Sequence, residues 1–405
     1  MEPELAVALP AAGAACATAL RPRPRLALGL GALLGAGGLA AVILSAPGAA
    51  SDLLGVTLSL SAPSRSMLIV AAGALAFVVI LAPQNAERST LLRWGLAGLA
   101  GMAAIAVAPT LDVSVMVLLA LVLLQVAGQG RRPYARRLRA PALAVALLGL
   151  ALLLARMPGP PALQKLGAVG LVAGLAAALG TLPYMHEFDP DEPTSTSPIP
   201  WIAFVGPLLA VVVLTRAREL LPSAGGALGA MLIGLGLINI VWGCVASWRT
   251  ELGAAAWRYS FTADWGLALC GFGLGVSEGQ AGALLVLYSI LLGRLPLYLW
   301  SRQPLREKIQ TDRPINLLVA AALAGSAPFA GFPARILVLR GATALYWPLA
   351  LVIAGTLLLW VPSSLRLGRT MGMPRGRQLA GIAVALALSV ALGLYPQPLL
   401  SLAGQ

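Results

Sequence analysis

The sequence predicts an all-α polytopic membrane protein with about fourteen transmembrane helices. The 405-residue chain is 59% hydrophobic and only 11% charged, which excludes an ordinary soluble domain. Apolar runs long enough to cross a bilayer recur along its whole length. Most of its basic residues stand in short loops between these runs, as topology-determining charges do. No basic cluster interleaves with aromatic residues in a polar segment, so we expect no nucleic-acid partner.

The chain is expected to form a single transmembrane domain, residues 1–405, with flanking helices in 4–82 and 378–395. Its first apolar run follows two acidic residues and precedes Arg21, Arg23 and Arg25. A cleaved signal peptide carries its charges the other way round. We therefore expect a retained first helix whose N-terminus lies outside the membrane.

One predicted span is interrupted near residues 325–333, where Gly325, Pro328, Gly331 and Pro333 fall within an apolar run. Proline removes a backbone donor and clashes with the preceding turn, so the helix is expected to break. Open backbone at membrane depth is tolerated only beside protein or a water-filled cavity. Arg335 follows this break, and a charge inside a membrane span is by default a functional candidate.

A second interruption is predicted near residues 180–183, at Gly180 and Pro183. The two broken helices are the seventh and the twelfth of the predicted series. Corresponding breaks in two halves of a transporter indicate inverted repeats with a site near the midplane. We predict two inverted five-helix repeats, about 91–215 and about 225–365.

Four stretches, taken in order, carry a family resemblance: residues 99–125, 182–216, 258–273 and 323–339. The second begins LPYMHEF, the third reads RYSFTADWGLALCGFG, and the fourth reads LAGSAPFAGFPARILVL. Together they resemble the antiporter-like membrane subunits of respiratory complex I, a family shared with multisubunit sodium/proton antiporters and membrane hydrogenases. The resemblance implies a membrane subunit whose family role is proton translocation coupled to electron transfer elsewhere in the complex.

The first half departs from this family at its titratable positions. The resemblance places Leu121 at the glutamate of the fifth helix and Ala178 at the lysine of the seventh. Pro207 or Leu208 falls at the lysine of the eighth. All three groups are absent, so we expect an impaired or lost first half-channel.

The second half keeps charges of a different kind. The resemblance places Arg294 where many members carry lysine or histidine, and Arg335 at the lysine of the twelfth helix. Burial lowers the pKa of lysine readily, whereas arginine stays charged. These arginines can hold an anion, a carboxylate or a water chain, but they are poor proton carriers. Asp264 is the acid expected within a span, and it is expected to pair with one of them, because Arg258 stands six residues away on another helix face.

Residues 185–197 form the notable polar stretch and contain the single histidine, His186, beside Glu187. This loop is a candidate proton entrance, and the alternative is an ordinary solvated loop. One histidine among flexible acids lacks fixed ligand geometry, so we expect no metal. No phosphate-binding loop or nucleophile motif is present, so we expect no cofactor and no catalysis by the chain alone.

Three functions remain open. The first is an antiporter-like subunit of a complex I-type NADH:quinone oxidoreductase in a bacterial inner membrane, with other membrane subunits and the lipid bilayer as partners. The second is a cation/proton antiporter or an inorganic-carbon-uptake subunit of the same fold. The third is a scaffold subunit that conducts no ions.

Overall fold

The computed structural model describes residues 2–46, 48, 50–53, 56–82, 85–127, 134–158, 160–185, 198–306 and 310–404. The helices of the first half are α1 (Leu5–Ala19), α2 (Pro24–Leu44), α3 (Ala62–Leu81), α4 (Asn85–Val107), α5 (Leu111–Ala127), α6 (Tyr134–Arg156), α7 (Pro161–Leu179) and α8 (Pro198–Leu220). Those of the second half are α9 (Gly225–Arg249), α10 (Gly253–Gly273), α11 (Ser277–Ser289), α12 (Leu295–Arg306), α13 (Pro314–Leu323), α14 (Gly331–Leu345), α15 (Trp347–Leu357), α16 (Trp360–Arg369), α17 (Arg377–Leu394) and α18 (Gln397–Leu402).

The predicted membrane fold is confirmed. Within the described residues, nine helical segments are long and apolar enough to cross a membrane, and shorter apolar helices accompany them. A hairpin that the sequence did not predict joins α2 to α3, with β1 (Ala50–Leu53) antiparallel to β2 (Val56–Ser59). The total number of spans and the inverted repeats stay predictions.

The helix breaks near residues 180–183 and 325–333 have matching backbone geometry. Gly180 and Gly325 follow α7 and α13 with φ of +64° and +62°, a conformation that glycine adopts without a Cβ penalty. The next residues, Thr181 and Ser326, each donate a backbone N–H to the carbonyl five residues earlier, at 3.0 and 3.1 Å. Their hydroxyl groups donate to the same carbonyls at 3.2 and 2.8 Å. The break after α13 places the C-terminal end of α13 beside the N-terminal end of α14, inside the second half of the chain.

Helix α14 continues to Leu345, and a new helix starts at Trp347. Pro348 explains the boundary, because it has no N–H to continue α14 and is favoured in a first helical turn. The following span is divided into α15 and α16, which places Trp360 at the start of α16.

Helix α10 lies at the centre of the second half. Every residue from Ser260 to Gly273 is buried, as expected for a helix that packs on all sides. Its closest neighbour is α9, where a Cβ on Gly266 would stand 2.5 Å from the Gly236 carbonyl oxygen. Small residues allow such close backbone approach between membrane helices, and this contact fixes the position of Asp264.

Candidate functional site

Arg294 lies at a helix irregularity between α11 and α12. Residues Ile290–Arg294 form one π-helical turn. Pro296 accounts for it, because its nitrogen cannot donate to the carbonyl four residues earlier. Such turns widen the helix and frequently occur at functional sites. The Arg294 side chain is directed into the protein and is 5% exposed.

Asp264 of α10 and Arg294 form a buried ion pair. Arg294 Nη2 donates to Asp264 Oδ1 at 3.1 Å, and Nε pairs with the other carboxylate oxygen. The same guanidinium donates from Nη1 to Ser260 Oγ at 2.9 Å and from Nη2 to the Leu323 carbonyl at 3.2 Å. A bidentate pair with further hydrogen bonds offsets much of the cost of burying both charges. It also ties α10 and the π-turn to the end of α13, at the broken helix.

Arg335 stands next to this pair, in the second turn of α14. Its Cζ lies 4.8 Å from the centroid of the Trp360 ring. The guanidinium packs against Gly325, where a Cβ would come within 2.6 Å of Arg335 Cζ. Arg335 makes no hydrogen bond or ion pair with any residue that the structure describes. Its charge therefore faces an aromatic ring and the adjoining cavity.

A cavity of about 40 Å³ connects these groups. Its polar lining consists of Asp264, Ser289, Arg294, Arg335 and Ser389. They come from α10, α11, the π-turn, α14 and α17. The cavity thus joins a titratable carboxylate, two fixed cations and two hydroxyl groups beside the backbone of a broken helix.

Arg258 does not line this cavity. Arg258 Nη2 donates to Tyr259 Oη at 3.3 Å and approaches Met185 Sδ at 3.9 Å, and Cζ lies 4.9 Å from the Tyr259 ring centroid. His186 and Glu187 lie outside the described residues.

The positions that resemble the family's first half-channel are apolar and mostly buried. Leu121 packs on Gly101, and Leu208 is completely buried in α8. Ala178 is partly buried against the core. Among the described residues, the charged side chains that are buried are Asp264, Arg294 and Arg302, all in the second half. Among the described residues, the buried charges therefore lie in the second half alone, in line with the loss of titratable residues from the first half of the sequence.

Sequence reasoning missed two contributors to the site, Ser260 and Trp360. Ser260 stands four residues before Asp264, so helix periodicity gave a signal for a shared face. Trp360 had no signal, because only the tertiary fold brings it to Arg335.

Comparison with known proteins gives one group of relatives. No protein-family model matches the sequence. NADH-quinone oxidoreductase subunit M of two Mycobacterium tuberculosis strains is 23% identical over 277 residues, which is 61% of this chain and 50% of the relative. The chain thus spans about half the length of the curated relatives it matches.

Solved structures match the fold over nearly the whole chain. A chain of respiratory complex I from Thermus thermophilus has a TM-score of 0.73 at 17% identity, covering 98% of this chain and 97% of that one. A chain of the Mrp complex from Dietzia has 0.77 at 16% identity, covering 99% and 51%. A chain of an archaeal membrane-bound sulfane sulfur reductase has 0.75 at 17% identity, covering 97% and 76%. The antiporter-like family resemblance inferred from the motifs is confirmed.

Proposed function

We propose that this chain is an antiporter-like membrane subunit of a complex I-type NADH:quinone oxidoreductase. It would lie in a bacterial inner membrane with its N-terminus outside, among other membrane subunits. Its role would be proton translocation coupled to quinone reduction, carried by the second half alone. The observation that carries this proposal is the buried Asp264–Arg294 pair at the broken α13–α14 helix, within a fold like that of a complex I chain.

Loss of the first half-channel is part of the proposal. Proton relay through a membrane needs groups that gain and lose protons, and Leu121, Ala178 and Leu208 cannot do so. A large side chain also occupies the region between the halves, because Trp265 of α10 packs against Gly206 of α8. A continuous charged path through both halves therefore has no support in the described interior.

In the second half, Asp264 would be the group that exchanges a proton. Arg294 and Arg335 would act as fixed charges that set the polarity of the cavity, since arginine does not release its proton at working pH. Water in the cavity would connect Asp264 to the opened backbone of α13 and α14.

Affinity purification of the tagged full chain from its native membranes tests the assignment to an assembly. We expect other complex I-type membrane subunits to co-purify, identified by mass spectrometry. A chain that purifies alone and moves ions in liposomes would contradict the assignment. The matched control is the same tag on an unrelated polytopic protein of that membrane.

The second candidate is a cation/proton antiporter or inorganic-carbon-uptake subunit of the same fold. The observation that favours it is the match to a chain of the Mrp complex, with a TM-score of 0.77. Co-purification with a second transporter protein, without quinone-reducing subunits, would favour this second candidate.

A scaffold role is the third candidate. Replacement of Asp264 and Arg335 with retained assembly and retained pumping would favour the scaffold role.

A further inference from the structure

We propose that the cavity beside Arg335 binds a small monovalent anion of about the size of chloride. This site goes beyond the proposed function, because its chemistry does not depend on the assembly that holds the chain. The described lining contains two arginines, Arg294 and Arg335, and one carboxylate, Asp264. The cluster therefore carries one positive charge in excess within a membrane domain.

The carboxylate is already engaged. Both oxygens of Asp264 contact Arg294, and neither of them makes a hydrogen bond to Arg335. Contact with the Trp360 ring compensates part of the charge of Arg335. Arg335 is only partly exposed, and a guanidinium inside a membrane domain requires an anion or hydrogen-bond acceptors beside it. No described residue supplies either one to Arg335.

Donor groups converge around the space that an anion would occupy. Ser389 Oγ accepts the Ala330 N–H at 3.2 Å, which leaves its hydroxyl hydrogen free to donate. Ser289 contributes a second hydroxyl group to the lining.

The N-terminal end of α14 adds partial positive charge to the same cavity. Gly331 and Ala334 of its first turn line the same cavity. The first N–H groups of a helix have no partner within it, and its N-terminal end carries partial positive charge. In this 15-residue helix the dipole acts together with two arginine side chains.

The volume limits the identity of the ligand. A space of about 40 Å³ holds a few water-sized species, which favours a compact ion over a larger organic acid. Chloride and other compact monovalent anions are small enough for this cavity, and their single negative charge balances the excess positive charge of the cluster. Occupancy by water alone is the competing outcome that the experiment must distinguish.

Thermal unfolding of the purified full chain in nanodiscs tests the site. Chloride replaces gluconate at constant ionic strength, so that general screening does not change. We expect a saturable rise in Tm for the wild type, its loss in Arg335→Gln, and its retention in Arg340→Gln, an exposed arginine of the same helix. No chloride-specific rise in the wild type, or an equal rise in Arg335→Gln, would overturn the proposal.

Anomalous diffraction from crystals grown in bromide locates the anion directly. We expect a bromide peak within hydrogen-bond distance of the Arg335 guanidinium. A map without that peak would overturn the proposal, even where Arg335→Gln fails to fold. The bromide experiment is independent of the affinity purification that tests the assembly, because a chain that purifies without other subunits would still bind bromide.

Discussion

The buried pair of Asp264 and Arg294 makes a quantitative prediction through a double-mutant cycle. Arg294→Met leaves the carboxylate of a 9%-exposed aspartate without a cation. Asp264→Leu leaves Arg294 with only the Ser260 hydroxyl and the Leu323 carbonyl. Breaking a buried pair from one side costs about 3–5 kcal/mol, so each single variant should lose at least about 3 kcal/mol.

The double variant should recover much of this loss. With both charges absent, the remaining cost is the loss of the Arg294 hydrogen bonds to Ser260 Oγ and the Leu323 carbonyl, about 1–2 kcal/mol, while the Ser260 hydroxyl still donates to the Trp257 carbonyl. The two single losses together exceed the double loss by at least about 4 kcal/mol, which is the expected coupling energy. The assay is equilibrium unfolding in mixed micelles, with the free energy of unfolding measured for all four proteins.

An exposed pair in the same chain is the matched control. Arg369 Nε and Asp312 Oδ1 are 2.6 Å apart, and their side chains are 56% and 68% exposed. Exposed pairs contribute about 0–1 kcal/mol, so the cycle of Arg369→Met and Asp312→Leu should give coupling below about 1 kcal/mol. Additive losses at Asp264 and Arg294, with coupling as small as in this control, would refute the buried-pair account.

Two further predictions concern the helix breaks. Gly325→Ala should lose about 2 kcal/mol in the same unfolding assay, because alanine at φ +62° is strained and its Cβ meets Arg335. Gly355→Ala, in a helix with open space around the glycine, should be neutral or gain up to about 1 kcal/mol; equal effects at both positions would contradict the reasoning. Asn239→Leu should lose about 1–3 kcal/mol, because Asn239 Oδ1 accepts the Leu182 N–H at 2.8 Å beside the break after α7. An unchanged free energy of unfolding would show that water replaces this bond.

Local backbone chemistry made the broken helices predictable. The clustering of Gly325, Pro328 and Gly331 in one apolar run predicted the break after α13, whereas single prolines such as Pro207 lie inside unbroken helices. The sequence position of Pro296 also indicated a perturbed helix near Arg294. The hairpin Ala50–Leu53 with Val56–Ser59 was missed, because its strands are only four residues each and lack a strong alternating pattern.

The sequence alone could not predict which residues come together at the site, because the tertiary fold decides this. Arg302 and the loop arginines carry the same charge, and only packing decides that Arg302 is buried. Trp360 reaches Arg335 because α15 packs against α14 and the following helix α16 packs against α13. Apolar residues at Leu121 and Leu208 were visible in the sequence, but their tight packing required the structure.

Proton translocation by the assembled complex tests the central claim most directly. Vesicles containing the complex with wild-type chain or with Asp264→Asn and Arg335→Gln are compared for proton uptake per electron transferred, after assembly is verified. Retained assembly with a clear loss of pumping is the predicted result. Retained assembly with wild-type pumping would contradict a role for these charges and leave a scaffold function.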